Sequence, residues 1–185
     1  MKVRGMFKAI NHKRLSLFWM VAIVGIALPW ILNIPAISAQ STETEICEVR
    51  SIYDGDTMTV KCDGERKKIR LYCIDAPEMK QRPWGKESKD YLRAITPKQV
   101  KVVKHGKDRY GRTIGEVWTH DGDDIQENLN LAMVYAGRAV VYPKYCRDQQ
   151  YYQAQEGVKK LGSGIWEKDG DWQRPWEYRK AKRNR

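Results

Sequence analysis

The stretch from Ile46 to Cys62 constrains the fold more than any other part of the chain. Two strand-like runs, 46–53 and 56–62, flank Asp54-Gly55, and a cysteine stands near the outer end of each. Asp-Gly between such runs predicts a two-residue hairpin loop, because a tight turn of this kind needs positive φ at both central positions. With that loop, Val49 faces Val60, Ser51 faces Met58 and Cys47 faces Cys62. Directly opposed strand residues approach closely enough for a disulfide when they lack ladder hydrogen bonds, so Cys47–Cys62 is expected. Cys73 and Cys146 remain as a second pair, the other reading of Cys73 being a reduced thiol buried in the core. No two cysteines have C-x-x-C spacing, which argues against structural zinc.

The remaining elements follow from pattern and turn chemistry. Asp63-Gly64 is a second turn signal and precedes a strand expected over Lys67–Ile74. Ile69, Leu71 and Cys73 alternate there with Arg70 and Tyr72, which sends Arg70 to the face away from the core. Pro77 ends this strand, since proline cannot continue a central ladder. A helix is expected over Gly85–Ile95, then strands over Gln99–His105 and Thr113–Thr119. Apolar residues at 125, 129, 133 and 136 have helical spacing, with Gly137 as a stop. Asp148 can cap a last helix reaching Leu161, closed by Gly162 to Gly164. Five short strands with about three helices predict an α+β fold, a five-stranded barrel of the OB type. From Asp171 the chain reads as a basic, solvated tail (171–185) with Trp172 and Trp176 packed back on the domain.

Residues 1 to 39 read as an address. Lys2, Arg4, Lys8, Lys13 and Arg14 precede the uncharged apolar run Leu15–Leu32, and Ala36-Ile37-Ser38-Ala39 follows. That order describes a secretory signal cleaved after Ala39, and an uncleaved anchor is the alternative. Either way the domain from residue 40 leaves the cytoplasm, as a secreted or periplasmic protein or one anchored and facing outward. An oxidising compartment suits four paired cysteines. The whole chain carries +11, and losing the five positive charges of the leader leaves +6. Such an excess points to an anionic partner, nucleic acid or a membrane surface, and excludes neither.

Asp56, Asp75 and Glu78 can converge at one rim of such a barrel. Carboxylates so close repel each other, and a hard cation relieves them; Ca²⁺ tolerates an irregular loop site better than Mg²⁺. The bland reading is that acidic residues at strand ends are simply solvated. Arg70 and Arg112 supply forked donors beside those acids. A metal-binding carboxylate cluster flanked by guanidinium groups suits a phosphodiester.

Asp54-Gly-Asp-Thr57, Arg70-Leu-Tyr-Cys-Ile-Asp-Ala-Pro-Glu78 and Asp108-Arg-Tyr-Gly-Arg112, in this order and spacing, resemble the staphylococcal nuclease (thermonuclease) family. Gly164-Ile-Trp166 and Pro175-Trp-Glu-Tyr-Arg179 resemble its secreted bacterial members, and the similarity runs over residues 46 to 179. The resemblance implies Ca²⁺ ligation by Asp56, Asp75 and the carbonyl of Ala76, where the family often has threonine. It implies Glu78 as general base, Arg70 and Arg112 as phosphate clamps, and Tyr142 and Tyr145 as base-stacking residues. Met79 to Trp84 is compact, which leaves little room there for substrate contacts.

The expected function is a monomeric, Ca²⁺-dependent endonuclease on DNA and RNA with low sequence specificity. The resemblance implies products with 3′-phosphate and 5′-hydroxyl ends. Two other readings compete: a non-catalytic OB-type nucleic-acid-binding module, and an anchored protein whose basic tail sits on anionic lipid.

Overall fold

The computed structural model describes residues 43–120 and 126–184. The predicted leader and Ile125 lie outside them. Strands β1 (Thr44–Ile52), β2 (Thr57–Cys62), β3 (Glu65–Leu71), β5 (Gln99–Lys107) and β6 (Thr113–Thr119) close into a barrel in the order β1-β2-β3-β6-β5. β3 and β6 run parallel and the other barrel pairs are antiparallel. A separate two-stranded ladder joins β4 (Ile74–Asp75) to β7 (Val140–Val141). Around the barrel lie α1 (Trp84–Ile95), α2 (Leu129–Tyr135), α3 (Gln149–Lys160) and α4 (Pro175–Arg183). The expected α+β barrel of the OB type is therefore present.

The first hairpin departs from its expected register in an informative way. Val49 faces Val60 as expected, but a bulge follows, so Ser51 faces Thr59 and Ile52 faces Met58. The extra residue lengthens the turn to 54–56, closed by Tyr53 N–H donating to the Thr57 carbonyl at 2.9 Å. Among the described residues, neither Asp54 nor Gly55 has positive φ. The two-residue positive-φ turn occurs instead at Asp63-Gly64, φ 49° and 85°, between Cys62 and its partner Glu65. Cys47 and Cys62 lie on the far side of the bulge, so their opposition survives and they form a disulfide with Cα atoms 4.4 Å apart.

Gly55 serves close approach, not left-handed backbone. A Cβ there would lie 2.5 Å from the Ser88 Cβ on α1 and 2.7 Å from the Ala76 Cβ. Absence of a side chain thus lets the turn press against α1 and the chain after β4.

The third strand is shorter than expected. It ends at Leu71, because Cys73 takes φ 66° and turns the chain out of the barrel. Ile74 and Asp75 then pair with Val141 and Val140, and Cys73 is bonded to Cys146. The first part of the predicted 125–136 helix is not helical where it is described: Gln126 and Glu127 belong to no regular element, and α2 begins at Leu129. Asn128 explains the later start, for its side chain accepts from Leu131 N–H as an N-cap. Gly137, at φ 59°, stops the helix as expected. Asp148 caps α3 by accepting from Gln150 N–H.

Met58, Val60, Ile69, Leu71, Val100, Val102 and Val117 fill the barrel, with Leu92, Leu129, Met133 and Tyr151 from the helices. Each such side chain contributes about 1.5–3 kcal/mol when fully buried. A second, smaller cluster of Trp84, Val140 and Ile165 is covered by Trp166, Trp172 and Trp176. This cluster changes the reading of the C-terminal segment. Trp172 and Trp176 do pack back, but the basic residues after them form α4 and are not a free solvated tail.

Two stability predictions follow from these constraints. The Cys73–Cys146 bond spans 73 residues and Cys47–Cys62 spans 15. Replacing either pair with serine should cost about 2–5 kcal/mol, and the wider loop should cost about 1 kcal/mol more in urea unfolding. Gly55→Ala should destabilise by about 1–3 kcal/mol through overpacking against Ser88 and Ala76, read as a lowered Tm.

Candidate active site

Asp56 is the last residue of the bulged turn, and four hydrogen bonds fix it. Its N–H donates to the Asp54 side chain at 3.1 Å. Its backbone carbonyl accepts from Leu71 N–H at 2.9 Å. Its Oδ2 accepts from Ala76 N–H at 2.6 Å, so the turn and the chain after β4 are joined by the carboxylate itself. Thr57 Oγ1 donates to Oδ1 at 3.1 Å. The bulge thus gives Asp56 a place in the turn, where the sequence suggested it had none.

Arg70 leaves β3 beside this carboxylate. Its Nη1 pairs with Asp56 Oδ1, and its Nη2 donates to Asp75 Oδ1 at 2.5 Å. One guanidinium therefore spans Asp56 and Asp75, although 19 positions separate the acids in the chain. Asp75 is fully buried, held by the β4–β7 ladder. Ala76 follows with its N–H turned to Asp56.

Glu78 stands beyond Pro77 on an irregular segment. Its backbone is fixed by Gln81: Glu78 N–H donates to Gln81 Oε1 at 2.8 Å, and Gln81 N–H donates to the Glu78 carbonyl at 2.7 Å. Gly85 of α1 approaches the same backbone so closely that a Cβ would lie 2.1 Å from the Glu78 carbonyl oxygen. The Glu78 side chain remains 37% exposed.

Arg112 precedes β6, the strand paired with β3, and Asp108 holds it through Nε at 2.7 Å. Burial works against a charged Asp108, yet Arg112 and two backbone N–H groups hold its carboxyl below the usual range. Asp54 links both arginines electrostatically. Burial pushes its carboxyl up, while the charges of Arg70 and Arg112 and the bonds to Thr57 pull the other way. The arrangement gathers Asp54, Asp56, Asp75, Ala76, Arg70 and Glu78 around one end of β3, with Arg112 just before the adjoining strand β6.

Tyr142 joins this neighbourhood through its backbone, its N–H donating to the Cys73 carbonyl at 2.8 Å. Its ring is stacked on Trp176 of α4 with centroids 5.3 Å apart. Tyr145 meets Tyr142 edge-on at 5.0 Å and is 54% exposed, with the Lys144 ammonium over its ring. Tyr145 thus has an open ring, whereas one face of Tyr142 is covered.

Arg179 was not singled out from the sequence. From α4 its Nη1 donates to Asp75 Oδ1 at 3.1 Å and to Glu78 Oε1 at 2.7 Å, and its Nη2 donates to Asp75 Oδ2 at 2.8 Å. Burial alone would lower its pKa, but Asp75 and Glu78 outweigh that and push it up. The one available signal was its place in Pro175-Trp-Glu-Tyr-Arg179, three residues after a packed tryptophan and so on the same helix face.

Oxygen donors of this kind suit a hard divalent ion. Three carboxylates, Asp56, Asp75 and Glu78, face two guanidinium groups, which leaves the cluster one negative charge in excess. Among the described residues, the one trio of acidic, histidine or cysteine ligand atoms lying within 4.8 Å of one another is Glu45, Cys47 and Cys62. Its two sulfurs are already joined to each other, so it is no metal site. At the active-site cluster, the Arg179 guanidinium stands between Asp75 and Glu78. There, Arg70 bridges Asp56 and Asp75, whose carboxylate oxygens are donors of the kind such an ion takes.

Residues 68–168 match the protein family described as "Staphylococcal nuclease homologue". An uncharacterized endonuclease of Haemophilus influenzae is 40% identical over 138 residues, covering 74% of each chain. A micrococcal nuclease of Shigella flexneri is 36% identical over 144 residues, covering 74% of this chain and 82% of its own. A thermonuclease of Staphylococcus hyicus is 36% identical over 128 residues, 64% of this chain and 74% of that one. The matched region holds Arg70, Asp75, Glu78 and Arg112, and on that similarity the chain belongs to the staphylococcal nuclease family.

Proposed function

We propose that the protein is a Ca²⁺-dependent endonuclease that hydrolyses DNA and RNA with low sequence specificity. The observation that carries this reading is the single Arg70 guanidinium joining Asp56 to Asp75, with Glu78 on the same short segment as Asp75. The nuclease names of its relatives support the reaction class.

Asp56, Asp75 and the Ala76 carbonyl would hold the calcium ion. When bound, Ca²⁺ supplies Lewis-acid polarisation of a phosphoryl oxygen and offsets negative charge on the substrate. Glu78, exposed enough to meet solvent, holds a water and takes its proton as the oxygen attacks phosphorus. Arg70 and Arg112 donate to phosphoryl oxygens as charge builds on them. Asp108 grips Arg112 at Nε, an edge contact that orients the planar fork. The bond broken is the 5′ P–O bond, which leaves 3′-phosphate and 5′-hydroxyl ends. No step needs a ribose hydroxyl, which is consistent with both DNA and RNA as substrates.

Tyr145, and Tyr142 at its edge, offer ring surface to unpaired bases. The two disulfides suit a secreted or periplasmic site of action, and residues 1–39 are proposed as the leader that takes it there.

Glu78→Gln should lower kcat by about 10²–10⁴-fold while the Tm stays near that of the parent. The check is cleavage of end-labelled DNA and RNA with Ca²⁺ or with a chelator, and parent-like cleavage by Glu78→Gln would remove the base assignment. Affinity should also fall about tenfold or more between roughly 50 and 200 mM salt, because phosphate contacts release counterions. Filter binding of labelled single strands to Glu78→Gln reads that change.

A further inference from the structure

Glu78 lies outside every regular element, on a segment whose backbone Gln81 and Gly85 fix but whose side chain is partly exposed. A base must aim its oxygen as well as carry the right charge. Among the ion pairs of the described residues, Glu78 has one, with Arg179. The same guanidinium grips both oxygens of Asp75. Asp75 cannot move, being fully buried and tied to β7 and Arg70.

The far end of the arginine is equally constrained. Pro175 is buried at the start of α4, Trp176 stacks on Tyr142, and Trp172 Nε1 donates to the Ile165 carbonyl at 2.9 Å. Lys180, Lys182 and Arg183 of the same helix form no ion pair with the site carboxylates, whereas Arg179 is only 32% exposed and turned inward. Charge attraction to the rim in general would not single out one residue of four. The bidentate grip on Asp75 does.

We propose that Arg179 is a positioning residue for Glu78. Its guanidinium, anchored on Asp75, holds Glu78 Oε1 and so directs the other carboxylate oxygen toward the attacking water. The role rests on the reading of Glu78 as general base. It makes α4 part of the active site, and it assigns the tryptophan cluster the task of setting the distance from helix to base.

A double-mutant cycle on the full-length protein tests it. Arg179→Ala should lower kcat about 10–100-fold with KM changed less than threefold, because substrate phosphates are held by other arginines. Arg179→Lys should recover part of the loss, since it keeps the charge without the fork. In a Glu78→Gln background, Arg179→Ala should change kcat by less than threefold. Tm should fall by about 3–10 °C in Arg179→Ala. The near-ultraviolet tryptophan signal should persist, showing that α4 stays docked. If that signal is lost, Arg179→Lys carries the same cycle.

An equal loss in both backgrounds would overturn the positioning role, and so would a faster Arg179→Ala enzyme, which would make the arginine a plug. Parent-like cleavage by Glu78→Gln alone would instead remove the base assignment, and the positioning role with it. A slow Glu78→Gln without coupling to Arg179 would leave the base assignment standing and sink only the arginine's part.

Discussion

The Arg70 guanidinium between Asp56 and Asp75 is the interaction on which the rest of the site depends. It sits where three pieces of chain meet: the bulged β1–β2 turn, the end of β3, and the short β4 segment. Two carboxylates this near each other repel unless a cation divides them, and the cost rises as water is removed. Asp75 has no exposed surface at all, so its carboxylate oxygens meet protein partners and no solvent. Losing one partner of such a buried pair costs on the order of 3–5 kcal/mol, more than the pair itself contributes relative to an apolar core. The cluster therefore reflects a functional demand more than a stabilising one.

Backbone geometry makes that meeting possible. The bulge after Val49 adds the residue that places Asp56 in the turn, and the missing side chain of Gly55 lets the turn lie against Ala76. Left-handed Cys73 ends β3 and throws Asp75 across to β7, out of the barrel ladder. Buried Asn130 secures the junction. It accepts from Val117 N–H and donates to the carbonyls of Tyr72 and Gly115, where parallel β3 and β6 part. Val117 N–H and the Tyr72 carbonyl thereby gain a side-chain partner, and the Gly115 carbonyl, which also accepts from Tyr72 N–H at 2.9 Å, gains a second one.

This explains which features were legible in the sequence. Strands β5 and β6, helix α1 and the Asp148 cap announce themselves through local pattern, because period and capping chemistry act within a few residues. Cys47–Cys62 was legible because its register precedes the bulge. The bulge itself was not, since Asp54-Gly55 and Asp63-Gly64 look alike and only tertiary contact with Ser88 and Ala76 distinguishes them. The break in β3 was hidden for a related reason: Cys73 keeps the alternation of a strand while its backbone leaves it. For the site, three motifs named the residues that the barrel rim gathers. Arg179 stayed out of sight because its spacing from Trp176 is all that marks it off locally from its basic neighbours, and its partner Asp75 is 104 positions away.

The C-terminal segment also changes how the charge of the chain should be understood. Net positive charge suggested a diffuse attraction to anions, and Lys180 and Lys182 of α4 stay exposed, as such an attraction requires. Arg179 differs from them in its forked guanidinium and in being carried inward by the packing of Trp172 and Trp176. Once inside, it meets two carboxylates in a setting where its hydrogen-bonded fork counts for more than its bare charge. With Arg70 it offsets most of the negative charge of Asp56, Asp75 and Glu78, so the acids can stay gathered before any divalent ion arrives. An ion held by these acids would have to outcompete guanidinium groups already in place, but would have no carboxylates to assemble. That is pre-organisation, with arginines keeping the geometry that the chemistry requires.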